Sequence, residues 1–288
     1  MKGKIPIKVV MLVSYDYKYV YDTLPLLYNN ADIICLSIDK NRQTWSGNYY
    51  ELPDSFFERI KELDSDNKIQ IYEDCFYDSS LSPMQNDTRQ RNMTRDYVGK
   101  DGWCVQIDSD EYFYDFEAFT EYLQTLDPQK PHNVYIKWIN TFKQDEDGFF
   151  VINSLEKAAV AVINIEKYKA ARTVKLKRTR TYFTVVHHSW ARSSQELEQK
   201  LTNWSHKDDF DTGLYFQKWQ KLNVENYREY KNFHPMRSGK DWKSLSYIQA
   251  RDIRELMAKI PEVKRKIMFK HNFLKSIFAL FFRPGFYK

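Results

Sequence analysis

The chain has 288 residues, is 42% hydrophobic and carries a net charge of +5. That length suits one large α/β domain, while only 8 glycines and 9 prolines exclude long disordered stretches. The modest charge excludes nucleic-acid binding driven by whole-protein electrostatics, and three cysteines without a CxxC pair exclude structural zinc and a disulfide framework.

Met1 to Pro6 leads straight into a strand without a signal-peptide core. No apolar run approaches the ~20 residues of a membrane-spanning helix. Ile7–Val13 is a continuous apolar run, as expected of a strand covered on both faces. Tyr17–Tyr28 reads as a helix and Ile33–Ile38 as a second buried strand. Ser55 and Glu58 have capping-box spacing at the start of a helix that runs to about Leu63. Lys68–Tyr72 is a third strand, Met84–Val98 an Arg- and Asn-rich helix, and Trp103–Ile107 a fourth strand. The alternation predicts a mostly parallel sheet with right-handed crossovers.

After Asp115 a short helix runs to Leu123. Strands joined by hairpin-like links are then expected at Asn133–Trp138, Gly148–Ile152, Ala158–Ile163, Thr173–Lys177 and Tyr182–Val186. Ser193 caps a helix that reaches about His206, and the rest to residue 260 reads as helical. The expected organisation is a catalytic domain over 1–211, with a nucleotide-binding half (1–115) and an acceptor half (116–211). A helical C-terminal region, 212–288, follows. The 16% aromatic content fits either stacking platforms in a ligand site or an aromatic core.

Asp-x-Asp occurs four times, at Asp64/Asp66, Asp108/Asp110, Asp145/Asp147 and Asp209/Asp211. Only Asp108-Ser109-Asp110 stands at the carboxyl end of a buried strand, the edge where open α/β sheets bind ligands. Such spacing lets one carboxylate reach a divalent cation while the other meets a ribose or a metal-bound water.

The segment Trp103–Phe113 (WCVQIDSDEYF) resembles the metal-binding segment of GT-A glycosyltransferases, close to bacterial family 2 enzymes and related N-acetylglucosaminyltransferases. Arg89-Gln90-Arg91-Asn92 is similar to their Arg/Asn stretch one helix earlier. Val185–Trp190 (VVHHSW) resembles their late strand ending in histidine. The likeness spans roughly residues 5–211. It implies a GT-A, Rossmann-like fold, a nucleotide-sugar donor (a UDP-sugar favoured) and Mn²⁺ or Mg²⁺ bridging the diphosphate. It also implies Asp110 as metal ligand, Asp108 and Ser109 beside the nucleotide, Asp39 on the nucleoside and His187 as a distal ligand. A neutral imidazole suits that role, but alternation sends His187 and His188 to opposite faces, which leaves His188 as the alternative. Arg91 is the candidate for diphosphate or nucleoside contact, since its guanidinium forks onto phosphate oxygens; a solvated helix face is the competing reading.

Many inverting relatives carry an acid after the metal site that deprotonates the acceptor. Asp145, Glu146, Asp147 and Glu156 are unranked candidates here, so inverting or retaining chemistry stays open. Arg172–Arg180 alternates apolar and basic residues, as either a half-buried strand or a face for an anionic acceptor. From Lys264 to Lys288 there are seven basic residues and no acid. Ile267, Leu274, Ile277, Phe278 and Phe281 can share a helical face there, which suits either an interfacial membrane helix or one docked on the core.

The expected activity is transfer of a sugar to a hydroxyl of a surface glycan or lipid-linked acceptor, by an enzyme on the cytoplasmic face of an anionic membrane. A nucleotidyltransferase is the rival reading, though it would normally place a glycine-rich loop after the first strand, where this chain has Ser14-Tyr15-Asp16-Tyr17. A non-catalytic binding module that kept the metal site is the other.

Overall fold

The structure, a computed structural model, describes residues 4–236 and 242–267. Four strands form its parallel half: β1 (Ile7–Val13), β2 (Ile33–Asp39), β3 (Ile69–Asp74) and β4 (Trp103–Gln106), in the order β3-β2-β1-β4. Every residue of β1 and β4 is buried, as their unbroken apolar runs require. Helices α1 (Val20–Leu27), α2 (Asp54–Leu63) and α3 (Pro83–Val98) make the crossovers. Pro53, not Ser55, is the N-cap of α2, and no side chain caps it. The reciprocal capping box sits on α3 instead, between Ser82 and Gln85.

The second half is mixed. β5 (Glu111–Phe113) and α4 (Phe116–Thr125) precede the long strands β6 (His132–Gln144) and β7 (Gly148–Ile163). The two strands expected within 148–163 are one, because β6 pairs along its whole length with β7 and absorbs three register shifts. β8 (Thr179–His187) adds parallel to β6, and β5 pairs antiparallel with β8 at the sheet edge. The strand expected at Thr173–Lys177 does not form; only an isolated bridge between Ala170 and Thr173 marks that stretch.

Beyond α5 (Ser194–Asn203) and α6 (Thr212–Gln220), the expected helical region contains a strand, β9 (Leu245–Gln249), paired antiparallel with β7. α7 (Ile253–Ala258) follows, and residues 260–267 are again helical. Ile260, Val263 and Ile267 are buried against Tyr112, Ile139 and Val186, so the start of the basic tail docks on the sheet. Leu274, Ile277, Phe278 and Phe281 lie outside the described residues. No helix among the described residues is long and apolar enough to cross a membrane.

One core cluster joins the strands to α1, α2 and α4, and a smaller one packs α3 with Tyr168 and Val174 on Val10, Cys35 and Cys104. A third, rich in aromatics, gathers Phe142, Trp190, Tyr215, Trp219, Phe233 and Trp242. The chain is thus an α/β protein of Rossmann-like class: a sheet flanked by helices, with the parallel strand ends of β1, β2 and β4 converging on one edge.

Candidate functional site

At that edge the turn after β4 presents Asp108, Ser109 and Asp110, and their three side chains have different fates. Asp108 is 28% exposed and borders a cavity at this edge. Its carboxylate accepts from Arg91 Nη1 and Nη2 at 2.9 and 3.2 Å and from Arg172 Nη2 at 3.2 Å. Burial raises its pKa, but Arg91 and Arg172 outweigh that and hold it at about 2. Ser109 is buried, and its carbonyl accepts from Thr23 of α1.

Asp110 is buried but also lines the cavity. Its Oδ2 accepts from Arg192 Nη2 at 2.6 Å and Lys200 Nζ at 3.2 Å. Burial opposes ionisation, yet the adjacent cations, led by Lys200, hold its carboxyl well below the usual range. Arg192 also binds Asp16 at 3.1 Å, tying the loop after β1 to the same cluster. Glu111, fully buried, accepts from Arg172 through both oxygens and from the backbone N–H of Asp108 at 3.2 Å. Burial, with Asp108 adding to it, pushes its pKa up to about 7 against the opposing pull of Arg172.

The Arg- and Asn-rich helix α3 is a scaffold for these charges. Arg91 donates to Asp87, Gln106 and Asp108. Its guanidinium is therefore committed to orienting Asp108 rather than left free for a phosphate. Arg89 holds the carbonyls of Cys75 and Phe76. Asn92 exchanges two hydrogen bonds with the backbone of Tyr168, and Thr88 accepts from the backbone N–H of Ala171. These contacts fix the irregular segment before β8 so that Arg172 reaches the carboxylates.

β8 separates the two histidines by alternation. His187 Nε2 lies 3.6 Å from Asp110 Oδ1, while Nδ1 meets Asn140 Oδ1 at 2.9 Å. Burial depresses its pKa to about 3, so the ring is neutral at physiological pH. With Nδ1–H donating to Asn140, the Nε2 lone pair faces a carboxylate oxygen. His188 is outside this cavity, packed among Tyr19, Tyr112 and Phe149, with burial lowering its pKa to about 4.

Asp39, at the end of β2, lines the cavity, but its oxygens accept four backbone N–H groups, from Asn41, Gln43, Phe76 and Tyr77. It shapes the loop that forms the cavity wall. Of the four acids considered for proton transfer, Glu156 alone borders this cavity, on β7 opposite Trp138 and bonded to Trp242 Nε1. Asp145, Glu146 and Asp147 sit in the β6–β7 turn, where Asp145 accepts from two backbone N–H groups and Tyr247.

The cavity holds about 310 Å³, within the range of ligand sites. Trp45, Trp138, Trp190, Trp204 and Trp242 all border it. Sequence reading missed Arg192, Lys200 and Asp16, and placed Arg172 in a strand or acceptor face rather than on Asp108 and Glu111. The Ser193 capping box did announce α5, and therefore a helix carrying Lys200, but not where that helix packs.

Neither a protein-family profile nor a curated protein sequence matches the chain. Among solved structures it is similar to a Bacillus anthracis protein described as a glucose-1-phosphate thymidylyltransferase in complex with a sucrose. Identity is 12%, over 69% of this chain and 96% of that one, with a TM-score of 0.35. It is also similar to a mannose-1-phosphate geranyltransferase of Thermus thermophilus, at 11% identity over 55% of this chain and 50% of that one, TM-score 0.27. Both scores are low, and they carry no argument about activity.

Asp110 Oδ1 and His187 Nε2 are the two donors that would be available to a divalent cation here. Oδ2 is committed to Arg192 and Lys200, while Oδ1 lies 3.6 Å from His187 Nε2, which offers a lone pair there in the tautomer that keeps the proton on Nδ1. The cavity lining carries Asp16, Asp39, Asp87, Asp108, Asp110 and Glu156 against Arg91, Arg172 and Lys200, so an anionic ligand needs added positive charge there. No group of three or more His, Cys, Asp or Glu side chains converges among the described residues. Ligand oxygens and water would therefore complete the coordination, as is usual for Mg²⁺.

Proposed function

We propose that the chain is a glycosyltransferase that moves a sugar from a nucleotide-diphosphate donor, a UDP-sugar favoured, to a hydroxyl of a surface glycan or lipid-linked acceptor. The observation that carries this reading is the Asp108–Asp110 pair at the end of β4, in a tryptophan-bordered cavity with His187 facing the free oxygen of Asp110. Asp110 and His187 would hold Mn²⁺ or Mg²⁺, which when bound neutralises the departing diphosphate. Arg172 and Lys200 add fixed positive charge beside it, and Asp108, held by Arg91, faces the nucleotide.

Glu156 is our choice for the base. It would take the proton of the acceptor hydroxyl as that oxygen bonds to the anomeric carbon and the carbon–oxygen bond to the diphosphate breaks. The catalytic unit is taken as residues 1–211. Its acceptor wall is completed by His234, Pro235, Met236 and Trp242, which border the cavity from beyond that boundary. We further propose that residues 264–288 contact an anionic membrane on its cytoplasmic side.

A panel of nucleotide sugars, with and without Mn²⁺, tests the reading through thermal unfolding and donor hydrolysis. A donor at 100 times its dissociation constant should add about 2.7 kcal/mol of stability. No stabilisation and no hydrolysis with any donor would sink it. Pyrophosphate release from a nucleoside triphosphate and a sugar 1-phosphate would replace it with nucleotidyl transfer.

A further inference from the structure

The described residues carry a second basic surface, on the sheet face turned away from the cavity. Lys137 of β6 and Lys157 of β7 stand directly opposite one another in the antiparallel ladder. The next pair along, Trp138 and Glu156, borders the cavity, so alternation turns the two lysines to the other face. Arg180 of β8 is paired with Tyr135, two residues before Lys137, and Arg178 lies over the Tyr135 ring at 5.1 Å. Burial and the charges of Lys157 and Arg180 lower the pKa of Lys137. None of the ion pairs among the described residues involves Lys137, Lys157, Arg178 or Arg180.

Like charges directly opposed across a ladder destabilise a sheet. Here the sequence intensifies the cost: from Lys167 to Arg192 there are eight basic residues and no acid. Only Arg172 and Arg192 of these serve the cavity carboxylates. An uncompensated patch of this kind is explained by an anionic partner.

The shape of the patch narrows the partner. None of Lys137, Lys157, Arg178, Arg180 or Tyr182 borders the cavity lined by Asp108 and Asp110 or the one lined by His188 and Arg192. The step from Tyr135 to Lys137 on β6 is matched by the longer step from Arg180 to Thr184 on β8. Tyr182 stands in the resulting bulge and is 87% exposed. An open basic face with a projecting tyrosine has the chemistry of a membrane-interface contact, where cations meet anionic headgroups and the ring sits at headgroup level. Residues 260–267 cover the neighbouring part of the same face through Ile139 and Val186. The chain leaves the described structure at Ile267 beside it, with Lys270, Lys275, Arg283 and Lys288 still to come.

We infer that Lys137, Lys157 and Arg180, with Tyr182, form a docking surface for an anionic lipid membrane, independent of whatever the chain after residue 267 contributes. The patch lies at the amino-terminal ends of β6 and β8, whereas Asn140 and His187 mark the cavity near their carboxyl ends. Docking therefore leaves the cavity mouth free, and the inference does not depend on the chemistry proposed for that cavity.

The test uses the full chain and vesicles of phosphatidylcholine with or without phosphatidylserine. Lys137→Glu/Lys157→Glu/Arg180→Glu should lower partitioning onto the phosphatidylserine vesicles on the order of a hundredfold, from about 1 kcal/mol per basic residue. Lys61→Glu/Lys221→Glu/Lys231→Glu makes the same charge change elsewhere and should lower it far less. Tyr182→Ala should reduce the salt-resistant part of binding, since ionic contacts are screened and apolar ones are not. If the triple variant does not fold, Lys157→Gln/Arg180→Gln removes charge without adding acid and should still cost at least tenfold. Equal losses in the patch and control variants would overturn the inference, as would full binding of the patch variant. Loss of binding to a soluble anionic polysaccharide with vesicle binding unchanged would also overturn it, assigning the patch to a glycan.

Discussion

The parallel half of the sheet and the mixed half contribute opposite charges to one site, by different structural means. β1, β2 and β4 bring carboxylates: Asp16, Asp39, Asp108 and Asp110 each stand at or just after the end of a buried strand. The mixed half brings the cations that balance them, Arg172 from an irregular segment, Arg192 from the turn after β8 and Lys200 from α5. Among the described cations paired with these carboxylates, only Arg91 belongs to the parallel half. Asp108 shares its charge between the halves, through Arg91 and Arg172, whereas Asp110 depends wholly on the mixed half. A ligand site whose carboxylates are clamped from across the molecule is stiff before any ligand arrives, which favours a pre-formed pocket over one assembled on binding.

The largest effect is expected from removing Asp110. A strand-end carboxylate is expected to be dispensable for folding, but Asp110 is only 4% exposed and balances two buried cations. Asp110→Ala should cost ~3–5 kcal/mol of stability, measured by denaturant unfolding, and abolish metal-dependent nucleotide binding. Asp110→Asn/Lys200→Met should recover most of the stability and none of the binding. Recovery of both would show that the two halves meet for structural reasons alone.

Next comes Glu156→Gln, which preserves an acceptor for Trp242 Nε1. Turnover should fall 10²–10⁴-fold with an unfolding midpoint close to that of the parent. Unchanged turnover would remove β7 from the chemistry and leave the mixed half a purely electrostatic role. A smaller effect should separate the histidines. His187→Ala should weaken Mn²⁺ binding, as should Asn140→Ala by about 10–100-fold because it orients the imidazole, while His188→Ala leaves Mn²⁺ affinity in place. Isothermal titration distinguishes these outcomes, and a loss confined to His188→Ala would reassign the ligand.

The smallest and most local test lies in the parallel half. Burial pushes the Cys35 thiol up to about 12 and the Cys104 thiol, which accepts from Tyr168, to about 11. Cys75 is exposed. A thiol reagent at neutral pH should therefore modify one cysteine in the folded protein and three in denaturant. Rapid reaction of Cys35 or Cys104 would show that β2 and β4 open more readily than their packing implies.

The difference between the halves also decides what could be read from sequence. Ile7–Val13 matches β1 residue for residue, because seven consecutive buried positions leave no ambiguity of period. Gly148–Ile163 was harder: its interior residues, Asn153 to Lys157, are polar or half-exposed, and only pairing with β6 makes one strand of it. Thr173–Lys177 shows the reverse failure. Its apolar–basic alternation has strand period, yet α3 captures the segment through Asn92 and Thr88, and Val174 packs against the α3 side of the sheet. β9 lies far from its partner β7 in sequence, and a five-residue strand carries too little periodicity to announce itself.

Sequence alone determined the Asp108–Asp110 position, because a buried strand must end where charge can meet solvent or a ligand, and both carboxylates stand at that end. It equally determined that one of two adjacent histidines faces this edge, since strand alternation allows no other outcome. Which histidine, which acid borders the cavity and which cations hold Asp110 were decided only by tertiary structure. Those choices depend on register and on contacts between residues as far apart as Asp16 and Arg192, and neither leaves a periodic trace in the chain.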